Sequence, residues 1–193
     1  MPKFSKRLVR AVEKSLNDLS NGILKRRTYN AFLELRTGHS LDFFRIAIHA
    51  LHDDLYADAH RVFDTHKDTA SICYIRRVAP GPFNRAVKAA GVSVPELEQI
   101  ASKLLHIRNR VQFHTAKRDV EVPAKVWEDA RMSGNEFIRL TEQTHEVLRL
   151  VYLELTGENK TVPDYFGEDI EPILRAYKEA KPNAPLRIRG RKV

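Results

Sequence analysis

Arg108, Asn109 and His114 are the residues of this chain whose types and spacing best suit phosphate chemistry. A guanidinium binds a phosphate through a forked pair of hydrogen bonds, and an imidazole takes or gives a proton near neutral pH. The amide of Asn109 would orient the histidine or the phosphate. The three residues together predict a site that binds a phosphate ester and transfers a proton.

A purely structural interpretation of the same residues stays open. Arginine and asparagine on a helix are usually solvated, and a histidine near a helix end often only complements the helix dipole. In an ideal helix, Arg110 shares a face with His114, whereas Arg108 lies about 120° away from it. Spacing alone therefore selects Arg110 as the partner of His114. A distorted last turn, or two copies of the helix meeting in a dimer, would allow Arg108 instead.

These residues lie at the end of a predicted amphipathic helix. Ser93 and Glu96 form a capping-box pattern at its start, and Pro95 is tolerated in a first turn. Apolar residues then follow at steps of three and four, so one face is expected to meet a core. They are Leu97, Ile100, Leu104, Ile107 and Val111.

Helical periodicity dominates the rest of the chain, and no convincing alternating strand is found. Further helices are predicted over 4–23, weakened near Gly22, and over 31–36, 40–62, 70–78, 83–90, 124–131, 133–155 and 169–180. Breaks are predicted at 80–82, 119–123 and in a linker-like stretch at 161–167, and Ser133 with Glu136 forms a second capping-box pattern. The sequence predicts an all-α, up-and-down bundle of long helices with short additional helices. Residues 1–180 are expected to form a single domain, followed by a basic, flexible tail at 181–193.

Length and composition suit a soluble globular protein. The 193 residues are 42% hydrophobic and 30% charged, and no apolar run approaches the ~20 residues of a membrane span. The basic N-terminus has no apolar block behind it, so it is not a secretory signal. Cys73 is the only cysteine, which excludes an internal disulfide and favours a reducing compartment. We expect a cytoplasmic protein without membrane contacts, with Cys73 as a buried, inert thiol beside Ile72 and Ile75.

The formal net charge of +8 is concentrated in three segments that lack acidic residues. Their basic residues are Lys3, Lys6, Arg7 and Arg10; Lys103, Arg108, Arg110, Lys117 and Arg118; and Lys181, Arg187, Arg189, Arg191 and Lys192. Such clustering favours a polyanionic partner, most simply nucleic acid, although a high pI also occurs without one. We predict that Arg110, Lys117 and Arg118 bind RNA, and that the tail adds affinity without taking part in chemistry.

Two spacings suggest metal ligands, but neither is complete. His49 and His52 do not belong to a recognised ligand set. Glu142 and His145 have the Glu-x-x-His spacing of di-iron bundles, which need a second such pair. A solvated helix surface is the better account of both, and no metal or cofactor is predicted.

Several other side chains are first interpreted as structural. Arg61 and Asp64 are spaced for an ion pair at i, i+3, with a supporting role near the motif as the alternative. Phe113 and Trp127 are able to stack on bases, but core packing is the default for large aromatic residues.

The motif resembles that of the HEPN superfamily of α-helical ribonucleases. There an Arg, usually followed by Asn, Asp or His, precedes a His with four to six residues between; Arg108 and His114 have five between them. The stretch 42–68, with Asp53-Asp54-Leu55, Arg61 and Asp64, also resembles the AbiU-type, abortive-infection branch. The resemblance covers most of residues 30–155. Some HEPN toxins carry a modified Tyr two residues after the His, but this chain has Ala116 there, so that mode of control is not supported.

The resemblance implies a metal-independent endoribonuclease in toxin–antitoxin or antiphage defence. The 2′-hydroxyl of RNA would attack the adjacent phosphate, with Arg108, Asn109 and His114 as catalytic residues. It further implies a homodimer with a composite site, and an antitoxin as a further partner. A catalytically silent HEPN domain that binds RNA or a nucleotide is the alternative. A helical DNA-binding or scaffolding protein is a third interpretation, but no convincing helix-turn-helix spacing supports it.

Overall fold

Long amphipathic helices dominate the computed structural model, which describes residues 4–34, 42–66, 68–112 and 123–180. Within these ranges the chain forms eight α-helices and one π-helical turn, without a strand. The helices are α1 (Lys6–Glu34), α2 (Asp42–Phe63), α3 (Ile72–Val78), α4 (Pro80–Ala89), α5 (Val94–Ile107), α6 (Pro123–Asp129), α7 (Gly134–Thr156) and α8 (Ile170–Ala180), and the π turn is Arg108–Gln112. The all-α prediction is confirmed. None of the described helices combines the length and apolarity that a membrane span requires.

Helix α1 is the central element, and it packs against both α2 and α7. Its buried stripe recurs at three- and four-residue steps through Leu8, Val12, Leu16, Leu19 and Ile23. The predicted weakening near Gly22 is wrong, because α1 runs through it without a break. Burial against two neighbouring helices outweighs the poor helix propensity of a single glycine.

The core lies where α1, α2, α4, α5 and α7 meet. Phe63, Phe83 and Phe137 are its largest fully buried side chains. Trp127 lies at its edge with its ring centroid 4.7 Å from that of Tyr56, which agrees with the predicted packing role. Burial raises the pKa of the Tyr56 phenol to about 12.

The break between α3 and α4 is shorter than the sequence predicted. Helix α4 begins at Pro80, so Gly81 and Pro82 belong to its first turn rather than to a loop. A proline is tolerated there because the first N–H groups of a helix have no intrahelical acceptor. The chain changes direction at Ala79 alone, whose φ of −130° and ψ of 60° are not helical.

The capping box at the start of α5 is confirmed, whereas the one before α7 is only half formed. Ser93 Oγ accepts from Glu96 N at 3.3 Å, and Ser93 N donates to the Glu96 carboxylate at 2.8 Å. Ser133 Oγ likewise accepts from Glu136 N at 3.1 Å. The Glu136 carboxylate does not return to the cap but pairs with Lys103 at 2.7 Å. That ion pair ties the start of α7 to α5.

The predicted solvated surface around Glu142 and His145 is wrong for the histidine. His145 is buried between α7 and α1, where its Nε2 lies 3.0 Å from Ser20 Oγ. Burial lowers the pKa of His145 to about 4, so it is neutral at pH 7. Glu142 is exposed and pairs with Arg26 on α1 at 2.5 Å. The two residues thus serve packing and pairing between helices.

Cys73 is exposed rather than buried as predicted. Its neighbours Ile72 and Ile75 face the core, but one residue along a helix turns the side chain by about 100°, which points Cys73 outward. Partial burial nevertheless raises the pKa of its thiol.

The connection between α7 and α8 is fastened along α1, and it is not the linker that was predicted. Lys160 pairs with Glu13 at 2.5 Å, and Arg27 donates to the Pro163 carbonyl at 3.0 Å. The Arg27 guanidinium also lies 4.2 Å from the centre of the Phe166 ring. The predicted tail at 181–193 lies outside the described residues, as does the predicted break at 119–123 except for Pro123, which begins α6.

Gly22, within α1, and Gly167, which packs against α1, should respond oppositely to alanine substitution. At Gly22 an added Cβ would meet Asp58 Cβ and Leu55 Cδ1 at an ordinary 3.6 Å, so Gly22→Ala should raise the free energy of unfolding by ~0.5–1 kcal/mol. At Gly167 the φ is +84° and the Cβ would lie 2.7 Å from Ala31 Cβ. Gly167→Ala should therefore destabilise by at least ~1–2 kcal/mol. Urea unfolding followed by circular dichroism measures both, and equal effects would contradict the packing of α1.

Candidate functional site

Arg108 and Asn109 of the motif lie in a distorted turn at the end of α5. Leu97, Ile100, Leu104 and Ile107 anchor α5 in the core, as its periodicity predicted. The next five residues, Arg108–Gln112, are π-helical. A π turn bonds i to i+5 and holds an extra residue, and such turns are frequent at functional sites. The last turn is therefore distorted. A distortion at this point was one of the two arrangements that would allow Arg108 to be the partner of His114, and a dimer was the other.

Arg108 contacts two neighbouring polar side chains. Its Nη1 lies 3.4 Å from Nδ1 of His60 on α2, and its Nε donates to Asn109 Oδ1 at 3.4 Å. A guanidinium has only donors, so Nδ1 of His60 must accept, which places the proton of the neutral ring on Nε2. Two acceptors on different sides thus orient the half-buried Arg108.

The protonation state of His60 matches this contact. Burial lowers the pKa of His60, and the nearby Arg108 cation lowers it further, while Asp64 opposes them. His60 is therefore neutral at pH 7, as its acceptor role requires. A protonated ring would lose the acceptor and place a second cation against the guanidinium.

The last turns of α2 are fixed by a buried carboxylate. Asp58 is 1% exposed, accepts from Lys25 Nζ at 2.6 Å and pairs with Arg61. Arg61 Nε also lies 3.8 Å from Asp18 on α1. This network holds α2 against α1 and thereby sets the position of His60.

The predicted pairing of Arg61 with Asp64 is wrong. Helix α2 ends at Phe63, so Asp64 no longer lies on the helix face that an i, i+3 pair needs. The Asp64 carboxylate instead accepts from the backbone N–H of His66 at 2.9 Å. Its part in the site is electrostatic, through its effect on the pKa of His60.

The structure places some of the predicted site residues together. Arg108, Asn109 and Arg110 occupy consecutive positions of the π turn, and Arg108 contacts Asn109. His114, Lys117 and Arg118 lie outside the described residues, as do Phe113 and Ala116. His60 is a site residue that the sequence did not indicate, because nothing local links positions that are 48 residues apart.

The described part of the site is a cationic surface at a helix C-terminus. Arg108 and Arg110 lie in the turn that follows α5, so their charges also complement the α5 dipole. The two guanidiniums, with the Asn109 amide between them in sequence, suit an anionic ester ligand. Among the described residues, no three His, Cys, Asp or Glu side chains are grouped to hold a metal ion. His52 instead packs edge-on against Tyr56, with ring centroids 4.8 Å apart, whereas the side chain of His49 is not among those described.

The histidine titration provides a direct test of this geometry. Arg108→Ala should raise the pKa of His60, because a cation beside the ring is removed while its burial remains. Asp64→Asn should lower the same pKa, because the opposing carboxylate is removed. Proton NMR titration of the histidine ring signals, with the His60 signal assigned by His60→Gln, measures both shifts. Shifts of the same sign would contradict the arrangement.

Comparison with curated proteins and with solved structures finds no match for this chain. A family model described as AbiU2, of the HEPN type, matches residues 5–173. The match includes α1 to α7, the π turn and the start of α8. The all-α architecture agrees with the HEPN-like fold that the motif implied. The chain therefore belongs to the AbiU2 family of HEPN domains.

Proposed function

We propose that this protein is a metal-independent endoribonuclease of the HEPN type that acts in toxin–antitoxin or antiphage defence. The observation that carries the proposal is Arg108, oriented by His60 and Asn109 in a π turn, in a chain of the AbiU2 family. The family motif is complete in the sequence, with His114 following Arg108 at the required spacing.

The reaction uses a nucleophile that RNA itself carries. The 2′-oxygen loses its proton and bonds to the adjacent phosphorus, while the bond from phosphorus to the 5′-oxygen breaks and that oxygen gains a proton. The products are a 2′,3′-cyclic phosphate and a 5′-hydroxyl. Such a reaction needs proton transfer and stabilisation of the charge that builds on the phosphate oxygens.

Each motif residue has a distinct role in this scheme. His114 transfers protons, because an imidazole titrates near neutral pH. Arg108 grips the phosphate and offsets its charge in the transition state. Asn109 orients the guanidinium through the contact at 3.4 Å. Arg110, Lys117 and Arg118 bind the neighbouring backbone of the RNA.

His60 acts as a positioning residue for Arg108. It does not itself contact the RNA in this scheme, and its neutral ring holds the guanidinium through Nδ1. Because His60 keeps its acceptor only while neutral, acid should weaken the grip of Arg108 as the pH falls through the lowered pKa of His60.

A binding module without chemistry is the rival function. The same oriented guanidinium would hold RNA or a nucleotide without cleaving it, and its contacts with His60 and Asn109 serve either role. The rivals differ in what the wild type does to RNA, since only the ribonuclease leaves cyclic phosphate ends.

Cleavage should depend on His114 and Arg108 more than on Arg110. His114→Ala should abolish cleavage of total cellular RNA without unfolding the protein, since a lost acid–base group lowers rates by ~10²–10⁴. Arg108→Ala should be similarly damaging, and Arg108→Lys should rescue little because an ammonium lacks the fork. Arg110→Ala, in the same π turn, is the matched control and should mainly weaken binding. A gel assay measures cleavage, and circular dichroism follows the fold.

Three outcomes would contradict this mechanism. Full activity of the His114→Ala protein would remove the proton-transfer role. Cleavage that disappears in excess EDTA would require a metal. A larger loss with Arg110→Ala than with Arg108→Ala would select Arg110 as the partner of His114, as ideal helix geometry alone suggests. Binding of RNA by a wild type that cleaves none would favour the binding module.

A two-fold homodimer with α5 near its interface is part of the proposal. Two motif helices meeting across a symmetry axis would combine residues that one helix spreads around its circumference, and closed two-fold dimers are the commonest oligomers. Leu105, one turn before Arg108, is 37% exposed and offers an apolar contact at that place.

Sedimentation velocity at micromolar concentration should show a dimer. Leu105→Asp should shift it toward monomer, because a carboxylate would be buried at the interface. Ile173→Asp on α8 is the control, since it removes an even more exposed apolar side chain, at 54%, from another helix. A monomeric wild type, or equal effects of both substitutions, would argue against an interface at α5.

A further inference from the structure

A second basic site lies away from the π turn, between α1 and α3. It is a cavity of about 530 Å³ that is open to solvent. We call it the α1–α3 pocket, and its lining residues are Arg7, Arg10, Ala11, Lys14, Asp68, Thr69, Ala70, Tyr74 and Arg77. Four of these side chains are cationic, and one of the described lining residues, Asp68, is acidic.

Helix geometry explains the concentration of positive charge. Arg7, Arg10 and Lys14 follow at i, i+3 and i+7, so they share one face of α1. The opposite face of the same segment carries Leu8 and Val12 into the core. Arg77 approaches from α3 on the other side of the cavity. Burying one face of α1 therefore lines the pocket with cations from two helices.

The ring of Tyr74 holds two of these guanidiniums in place. Arg7 Cζ and Arg77 Cζ each lie 5.8 Å from the centre of the ring, within the range of cation–π attraction. Both guanidiniums are therefore attracted to the same half-buried aromatic ring. Tyr74 thereby gives cations from α1 and α3 a shared contact at the pocket wall.

The remaining wall of the pocket is a fixed turn. Ser15 Oγ, buried on α1, donates to the Ala70 carbonyl at 3.0 Å. Thr69 Oγ1 donates to the His66 carbonyl at 2.7 Å. The first bond ties the connection between α2 and α3 to α1, and the second braces that connection internally, so the cavity is built into the fold.

We propose that the α1–α3 pocket binds the phosphodiester backbone of a single-stranded RNA and anchors the strand that reaches Arg108. The choice of RNA rests on the proposed function, while the anion site rests on the four cations. Guanidiniums bind phosphate oxygens through paired N–H donors, and Lys14 adds a point charge. Several cations spread over one cavity suit successive phosphates better than a single small anion.

The pocket and the Arg108 site lie on either side of one short connection. Asp68 lines the pocket, and Asp64 at the end of α2 acts on His60, which contacts Arg108. Four residues of chain span at most ~14 Å. This upper limit places Asp64 and Asp68 no further apart than about four stacked nucleotides at ~3.4 Å each. Asp18 contacts Lys14 of the pocket at 2.7 Å and Arg61, the residue after His60, at 3.8 Å.

The test uses full-length protein and a single-stranded RNA whose 2′-oxygens are methylated. This probe has no 2′-hydroxyl to attack, so binding is measured whether or not the protein cleaves RNA. Arg10→Gln/Arg77→Gln should reduce the slope of log K against log salt by about 1.4, because each lost phosphate contact contributes about 0.7 for single strands. Lys88→Gln/Arg175→Gln removes the same charge from other exposed positions and should leave the slope nearly unchanged.

The other possible results of this experiment either support or overturn the proposal. An unchanged slope in the pocket variant, or an equal fall in the control, would overturn it. A 5′-mononucleotide titrated by calorimetry separates the two sources of phosphate. Tight binding of the mononucleotide that is lost in the pocket variant, with an unchanged RNA slope, would assign a free-nucleotide site instead. Arg10→Gln alone should give half the change in slope, which guards against misfolding of the double variant. Cleavage assays on ordinary RNA then test the proposed function separately.

Discussion

The buried carboxylate of Asp58 is the constraint on which the candidate site depends. A carboxylate removed from water is strongly destabilising unless cations and hydrogen bonds surround it. Lys25 reaches it from α1 at 2.6 Å, and Arg61 reaches it from the next turn of α2. The two helices are thereby held in the register that satisfies the carboxylate. His60 follows Asp58 by two residues, so the same register presents His60 to Arg108.

The charged residues of the described structure include both ion pairs between helices and groups of cations. Several ion pairs among the described residues tie one helix to another, as Lys103 with Glu136 and Arg26 with Glu142 do. Asp54 and Asp58 of α2 pair with Lys25 and so hold α1 and α2 together. Basic residues are grouped at the π turn and in the α1–α3 pocket, on both sides of the connection that joins α2 to α3. An extended polyanion would contact cations at both places, whereas a small anion would need only one of them.

Local signals in the sequence predicted the helices. The burial of individual side chains and the composition of the site depend on contacts between residues that are distant in sequence. The cap at Ser93, the apolar stripe of α5 and the left-handed Gly157 that ends α7 depend on neighbours within a few residues, so the pattern reveals them. The burial of His145 depends on Ser20, on a different helix. The contact between His60 and Arg108 likewise joins α2 to the π turn. The π turn itself has no residue signature, because it reflects how an extra residue is accommodated in a helix whose face is already fixed by the core.

That extra residue gives the motif an adjustable spacing. A π turn is equivalent to one insertion in an α-helix, and deleting one residue within 108–112 would restore α-helical bonding. The part of the chain beyond it would then turn by about 100° relative to the buried face of α5. Insertions and deletions are usually thought of as changes in loops. Here a single-residue length change within a helix would alter which direction the motif faces, while Leu97, Ile100 and Leu104 stayed in the core. A change of one residue in length would in this way alter the direction of the motif while the packing of the helices stayed the same.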